Sequence, residues 1–468
     1  MAELRRHLRD RLIPFSAYYA KKLDGIDLDS LREPADLARL PFTEKADLLS
    51  SPEHPNKARD FVLIPDEKVL AKRLSTIVRA VMRGKARVKA GFEREFRPIL
   101  MTATTGRSSD PVPFLYSQHD IANLEEAGRR LMVLCDSRPD YRHLNVFPFA
   151  PHLAFWQMHY AGLGFNTFCL STGGGKTMGT DGNVAMLEKI KPDAIIGMPT
   201  FLYHLLTTAA ERGKRWRNLR RIVLGGEKVP QGLRTKLREL CAALGSHDVK
   251  IMATYGFTEA KTAWPECAFG QSDAPTGFHL YPDFGIFEVV DPETGAPRGE
   301  REPGEIVYTP INARGSCVLR YRTGDLIEGG IAWDPCPGCG RTLPRLIGRI
   351  SRVSNIREMN LGKVKGTLVD FNELEHILDD APGLGSWQIE LRKKDDDPLG
   401  LDELVVHAQA MPNADEATLR REIGDRLARG AEIRPNDIVF HDPQAMRDRQ
   451  GVGKALKEEK LVDHRPKR

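Results

Sequence analysis

Apolar and polar positions along the chain fall into four successive patterns. From about residue 141 to 255, short apolar runs alternate with stretches of helical spacing. Asp193–Met198, Arg221–Leu224 and Val249–Tyr255 have strand length, and each is bounded by a turn or a helix. Between the last two, Leu233, Leu237, Leu240, Cys241 and Leu244 share one helix face. This alternation predicts a mainly parallel sheet with covering helices. Functional groups are then expected in loops at the carboxyl ends of strands.

Upstream, the chain reads as helical segments as far as about Arg97, broken by loops such as the one from Ser51 to Phe61. The charged N-terminus reads as an amphipathic helix. Ser117-Gln-His-Asp120 makes a capping box for a helix carrying Ile121, Leu124, Leu131, Met132 and Cys135 at helical spacing. After Gly277 the pattern changes to strands at Phe284–Val290 and Glu305–Asn312, joined by an Asp-Pro-Glu-Thr-Gly turn. This is a β-rich appendage. The last hundred or so residues read as a small α/β domain. Its expected helices are Phe371–Leu378 and one carrying Ala417, Leu419, Ile423 and Leu427. Its expected strands are Trp387–Arg392, Leu404–Ala408 and Asp437–Phe440. The boundary falls between Arg349 and Lys365.

Composition narrows the class. A chain of 468 residues is long for one core, so two or more domains are expected. With 41% hydrophobic and 28% charged residues it is ordinary for a globular protein. No run of eighteen apolar residues is present, so no transmembrane helix is expected. The N-terminus lacks the apolar core of a secretory signal, and the expectation is a cytoplasmic protein without a membrane partner. A net charge of +5 is too weak to imply nucleic-acid binding, although Lys68–Arg97 is richly basic. A solvated helix face explains that segment adequately. Seven cysteines in such a chain argue against a disulfide framework. Cys135, Cys169 and Cys241 sit among apolar residues as inert thiols. Cys336 and Cys339 form a C-x-x-C pair across a glycine turn, which supplies two of the four ligands that zinc needs.

Thr102-Ala-Thr-Thr-Gly-Arg107 is a hydroxyl-rich turn with a basic end, which suits phosphate oxygens. A polar surface turn explains it equally well, and it lacks Walker A spacing. Other short motifs follow it in order: Leu224-Gly-Gly-Glu227, Thr254-Tyr-Gly-Phe-Thr-Glu259, Tyr321-Arg-Thr-Gly-Asp325, Gly348-Arg349 and Gly453-Lys454. Together they resemble the acyl-adenylate-forming (AMP-binding) superfamily. Phe15–Leu23, Leu37–Lys45 and Cys339–Arg345 narrow the resemblance to the phenylacetate–CoA ligase-like family.

The resemblance implies a fold and a chemistry. The expected fold is α/β: an N-terminal adenylation domain over 1–349, a hinge segment over 350–364 and a mobile C-terminal domain over 365–468. The expected enzyme is an AMP-forming acid–thiol ligase using ATP, Mg²⁺ and CoA. It would activate an aromatic carboxylate to acyl-AMP and pass the acyl group to CoA. Thr102, Thr104, Thr105, Gly106 and Arg107 would hold phosphates. Gly225, Gly226, Glu227, Thr254, Tyr255, Gly256, Thr258 and Arg349 would complete the nucleotide site. Glu259 would bind Mg²⁺, Asp325 the ribose hydroxyls, and Lys454 the acyl and phosphate oxygens during adenylation. Lys365 and Gly366 would serve the CoA step. Phe149 and Trp156, with Tyr255, would line a pocket for a flat aryl acid. Cys267 and His279 would join Cys336 and Cys339 around a structural zinc. The resemblance also allows a homodimer.

Plainer readings stand beside these. Glu259 also suits a helix first turn, Asp325 a tight turn, and Lys454 a solvated tail. Phe149 and Trp156 also suit core packing, and His279 a lone buried histidine. The chain departs from the family pattern in two places. Ala103 and Arg107 replace the usual glycine and lysine of the phosphate loop. The usual acidic pair after Gly348-Arg349 is absent, and a longer segment precedes Lys365-Gly366. That change falls on the segment that the resemblance ties to the second half-reaction. Transfer to an amine or a carrier-protein thiol is the alternative within enzymes, and a non-catalytic nucleotide-binding relative is the alternative outside them.

Overall fold

Leu4, Leu8, Leu12 and Phe15 of the N-terminal helix are all buried. A strict four-residue repeat drifts off one face of an α-helix, which turns every 3.6 residues. Here Leu8–Leu12 forms a π turn between α-helical ends, which keeps the leucines aligned. The computed structural model describes the chain except for residues 105–110, 271–274, 354–355, 362–363, 395–396, 398–399, 413, 432, 453–457 and 466–468, and only the backbone of 356–361 and 364–368. The chain divides into two units. Met1–His143, Phe149–Leu170 and Met252–Ile350 form one; Leu144–Pro148, Ser171–Ile251 and Ser351–Arg468 form the other.

The first unit is built around an aromatic core. Trp264 is buried edge-on to Phe287, with ring centroids 4.7 Å apart, and 5.6 Å from Tyr308. Such pairs add roughly 0.5–1.5 kcal/mol each beyond area burial. Pro98–Ala103 and Pro113–Ser117 form an antiparallel hairpin whose connecting loop carries the Thr-rich motif. The expected capping box is present: the Ser117 Oγ accepts from the Asp120 N–H, and Asp120 Oδ2 accepts from the Ser117 N–H. Asp120 does more than cap. It is buried and also accepts from Lys261 Nζ at 2.8 Å and from the Arg314 and Gly315 N–H groups. Burial works against its charge, but Lys261 and these donors hold its pKa below the ordinary carboxylate value. The helix it starts, Gln118–Leu134, packs on Leu153–Gly164 at close range. A Cβ at Gly128 would lie 2.5 Å from the Cα of Ala161.

The β-rich appendage is as expected in type. Gly285–Val290, Gly304–Pro310 and Tyr321–Ile327 are successive antiparallel strands. Beside them, Phe278–His279, Arg345–Leu346 and Ile331–Ala332 make a small antiparallel sheet.

In the second unit, Ala194–Gly197 and Arg221–Leu224 run parallel and are connected through the helix Pro199–Glu211. This is the strand–helix–strand unit predicted from the alternation. The C-terminal part has strand order Asp437–Phe440, Asp402–Ala410, Leu384–Lys393, Leu461–Asp463, antiparallel in the middle and parallel at both edges. Helices Phe371–Asp379 and Glu416–Gly430 cover it through Leu374, Leu378, Leu419, Ile423 and Leu427. The mixed α/β class is therefore the one observed. The segment after Arg352 forms an antiparallel hairpin, Ile356–Leu361 with Val364–Asp370, and Lys365 and Gly366 lie in its second strand.

Candidate active site

Two motifs far apart in sequence are interlocked in the first unit. The strand Lys250–Phe257 continues into a single 3₁₀ turn, Thr258–Ala260, and returns as the antiparallel strand Thr262–Pro265. The sharp return needs Gly256, where a Cβ would meet that of Ala263 at 2.7 Å. It also needs Lys261 at φ 60°, held there by its ion pair with Asp120. Glu259 thus projects from a turn anchored at both ends. The Tyr321 hydroxyl donates to Glu259 Oε1 at 2.8 Å. Reciprocally, the Tyr255 hydroxyl donates to Asp325 Oδ2 at 2.9 Å. The tyrosine of each motif therefore orients the carboxylate of the other.

The support behind this pair is dense. Asp325 follows Gly324, which has φ 71°, and its N–H donates to Thr323 Oγ1. Thr323 donates to the Ile306 carbonyl, and Glu305 accepts from the Gly324 N–H and from Arg322. Behind Tyr321, the Thr43 N–H donates to the Arg320 carbonyl and the Arg322 N–H donates to the Thr43 carbonyl. Tyr19 shares a 3.0 Å hydrogen bond with Thr43 and accepts from the Leu319 N–H. The N-terminal segments that mark the subfamily thus brace the Tyr321 strand. Sequence reading gave no role to Tyr19, Thr43 or Tyr321; the signal available was a tyrosine opening or near the opening of each carboxylate motif.

The hairpin carrying the Thr-rich loop separates its hydroxyls by role. Thr102 is fully buried, and its Oγ1 shares a 3.2 Å hydrogen bond with the Tyr116 hydroxyl. Thr104 clamps the loop: its N–H donates to the Val112 carbonyl at 3.0 Å, and its Oγ1 accepts from the Val112 N–H at 2.9 Å. Thr105, Gly106 and Arg107 lie outside the described residues, as do Gly453 and Lys454. His152 bonds the Ala103 carbonyl through Nδ1 at 2.9 Å, tying the hairpin to the segment that carries the aromatics. There Phe149 is exposed, 5.1 Å from Phe155 and 6.2 Å from Trp156 between ring centroids. Arg349 is exposed and paired with Glu328 at 3.0 Å.

In the second unit, Gly225 and Gly226 turn the chain after the strand Arg221–Leu224, with Gly226 at φ 84°. Glu227 accepts from both the N–H and the hydroxyl of Thr200 at the start of the helix Pro199–Glu211. Lys228, which sequence reading passed over, reaches Glu375 at 2.5 Å and Asn372 at 2.9 Å.

Cys267, His279, Cys336 and Cys339 converge, with ligand atoms all within 4.8 Å of one another. Cys267 and Cys336 sulfurs are 3.8 Å apart, and Cys339 Sγ is 3.3 Å from His279 Nε2. A tetrahedral zinc with ordinary bond lengths gives about 3.8 Å between sulfurs and about 3.6 Å from sulfur to nitrogen. The turn that presents the pair is closed by the Cys336 N–H to the Arg341 carbonyl and the Gly340 N–H to the Cys336 carbonyl. Burial draws His279 down to about 4, keeping it in the neutral, metal-binding form, and pushes the Cys267 thiol up to about 11.

A family model described as AMP-binding enzyme matches residues 119–318. A phenylacetate-coenzyme A ligase of Thermus thermophilus is 25% identical over 456 residues, covering 94% of this chain and 85% of that one. Another, from Aromatoleum evansii, is 25% identical over 464 residues, covering 96% and 90%. Among solved structures, a 2-hydroxyisobutyryl-CoA ligase in the postadenylation state superposes with a TM-score of 0.75 at 20% identity, covering 99% of this chain and 89% of that one.

Proposed function

We propose that this chain belongs to the acyl-adenylate-forming, AMP-binding superfamily and is an AMP-forming ligase joining an aromatic carboxylic acid to CoA; the AMP-binding match over residues 119–318 and the phenylacetate-coenzyme A ligases it resembles support this reading. In the first step a carboxylate oxygen attacks the α-phosphorus of ATP, and pyrophosphate leaves. In the second the CoA sulfur attacks the acyl carbon, AMP leaves, and the thiol proton passes to solvent.

The observation that carries this reading is the crossed pair of hydrogen bonds, Tyr255 to Asp325 and Tyr321 to Glu259. In-line phosphoryl chemistry depends on positioning and on neutralising charge rather than on covalent help. The pair fixes two carboxylates of different use. Asp325 is buried and suits a neutral polyol such as ribose. Glu259 is half-exposed, and Tyr321 engages one of its two oxygens, which suits a magnesium ion shared with phosphates. Thr104 holds the phosphate loop closed at its base. Arg107 and Lys454 would supply the cations. Lys365 and Gly366 would line the approach of the nucleophile, where a glycine permits close backbone contact. Phe149 and Trp156 would face the aryl group. Cys267, His279, Cys336 and Cys339 would hold one zinc, fastening the Phe278–His279 strand to the Cys336–Arg341 turn as a structural site.

One observation favours a second reading of the acceptor. The expected hinge is built as the hairpin Ile356–Asp370. If it prevents the small domain from moving, acyl-AMP would pass to an amine or a carrier-protein thiol instead of CoA. A screen of aryl and arylalkanoic acids by pyrophosphate release, with and without CoA, separates the two. Thioester formed with CoA supports the ligase; acyl-AMP that accumulates and never reacts with CoA supports the second reading.

A further inference from the structure

The helix Leu74–Arg83 points the wrong way for a helix of a globular core. Its apolar positions, Leu74, Ile77, Val78, Val81 and Met82, follow the i, i+3, i+4, i+7, i+8 rule of an amphipathic helix. Such a stripe normally faces the interior. Here all five are exposed, Val81 at 82% and Met82 at 77%. The neighbouring helix Lys85–Phe96 and the strand Pro98–Ala103 leave an open groove of about 1670 Å³ beside it, walled by Ile64, Leu70, Ile77, Val81, Phe92 and Met101. Arg59, Lys85, Lys89 and Arg97 also line it, Lys89 paired with Glu67 and Arg97 with Glu93 of the same wall. A continuous exposed apolar surface of this kind marks an interaction site.

Charge selects the occupant. Between Glu67 and Arg97 there are ten Lys and Arg residues against three Glu, a local net charge of +7, while the whole chain carries only +5. The rest of the molecule is therefore slightly acidic, and the net positive excess falls on these two helices and their flanks. A second copy of the same surface would be repelled. The cations are spread over the whole length of both helices and their flanks instead of forming one pocket. That distribution suits a diffuse anionic plane better than a single acidic ligand. No described helix is long and apolar enough to cross a membrane.

We propose that this hairpin is a peripheral docking surface for an anionic lipid bilayer. Leu74, Val78, Val81 and Met82 insert among the acyl chains, the groove accepts a lipid tail, and the flanking Lys and Arg side chains meet the headgroups. This runs against the expectation from sequence of no membrane partner, because a solvated helix face would not leave its apolar stripe bare.

The test is co-sedimentation of the full chain with sucrose-loaded vesicles of pure phosphatidylcholine or of phosphatidylcholine with phosphatidylglycerol. Binding is expected to the anionic vesicles alone and to fall steeply with salt. Val81→Asp is expected to abolish it. Each neutralisation in the series Arg79→Gln, Arg83→Gln and Arg87→Gln should weaken it about fivefold. These side chains are exposed, so acid-dependent ATP–pyrophosphate exchange should be unchanged and serves as the check on folding. Absence of binding to anionic vesicles, or equal binding to neutral ones, overturns the proposal. So does Val81→Asp binding like the parent. Lack of vesicle binding together with capture of an acidic carrier protein in the same salt-dependent way would reassign the surface to a protein.

Discussion

Replacing Tyr321 with phenylalanine tests the crossed motif pair at its most exposed point of logic. The substitution removes a single hydroxyl, which donates to Glu259 Oε1 at 2.8 Å. The ring is buried and stacked near Phe257 with centroids 6.5 Å apart, so phenylalanine fills the same space. A hydrogen bond to a charged group contributes about 1.5–3 kcal/mol. If that energy serves to hold Glu259 in the geometry required during adenylation, kcat/KM for acid-dependent ATP–pyrophosphate exchange should fall by about 10- to 150-fold. Raised magnesium should recover part of the loss, since a looser carboxylate still binds the ion. Thermal stability should fall only modestly, because the packing is retained and water can reach half-buried Glu259 in place of the lost hydroxyl. The double variant with Glu259→Gln should be scarcely worse than Glu259→Gln alone, because both lesions act through one carboxylate. A loss of less than threefold in Tyr321→Phe, or full additivity in the double variant, would refute the idea that Tyr321 works through Glu259.

Three further outcomes are expected. Purified protein should carry about one zinc per chain, bound less tightly as the pH falls because thiols must lose protons to bind it; Cys336→Ser should lose the metal and melt earlier, and metal-free protein with an unchanged Cys336→Ser melt would count against the site. Lys454→Ala should abolish pyrophosphate release while ATP still binds, and should leave thioester formation from supplied acyl-AMP largely intact; equal loss of both steps would remove Lys454 from its assigned role. Gly366→Leu should cripple thioester formation and spare acyl-AMP formation, measured by product chromatography, and unaffected thioester formation would show that this strand does not border the nucleophile's path.

Local features were legible in the sequence, and pairings were not. The strand–helix alternation placed Ala194–Gly197 and Arg221–Leu224 to within a residue, because short β-rich runs between turns have few other solutions. The Cys267, His279, Cys336, Cys339 cluster was legible because soft ligands are rare and their chemistry is restrictive. The exchange of tyrosines between motifs was not, since Tyr255 and Asp325 are seventy residues apart and only strand register joins them. Thr102 reads as one hydroxyl among several in a loop, yet strand alternation turns it inward to Tyr116. The hairpin Ile356–Asp370 escaped because its apolar positions do not alternate cleanly. The stripe on Leu74–Arg83 was read as part of a helix, but pattern alone sends an apolar face into a core and cannot announce that this one faces outward.

The first unit's interlocked carboxylates are proposed to serve acyl-adenylate formation. Its most direct measurement is exchange of labelled pyrophosphate into ATP by the wild-type chain, with magnesium and a panel of aryl and arylalkanoic acids, in the absence of CoA. Exchange is expected to require an acid, to be strongest for one or a few of the panel, and to disappear in Glu259→Gln. ATP binding without acid-dependent exchange from any member of the panel, or exchange unaffected by Glu259→Gln, would contradict this role of the carboxylates.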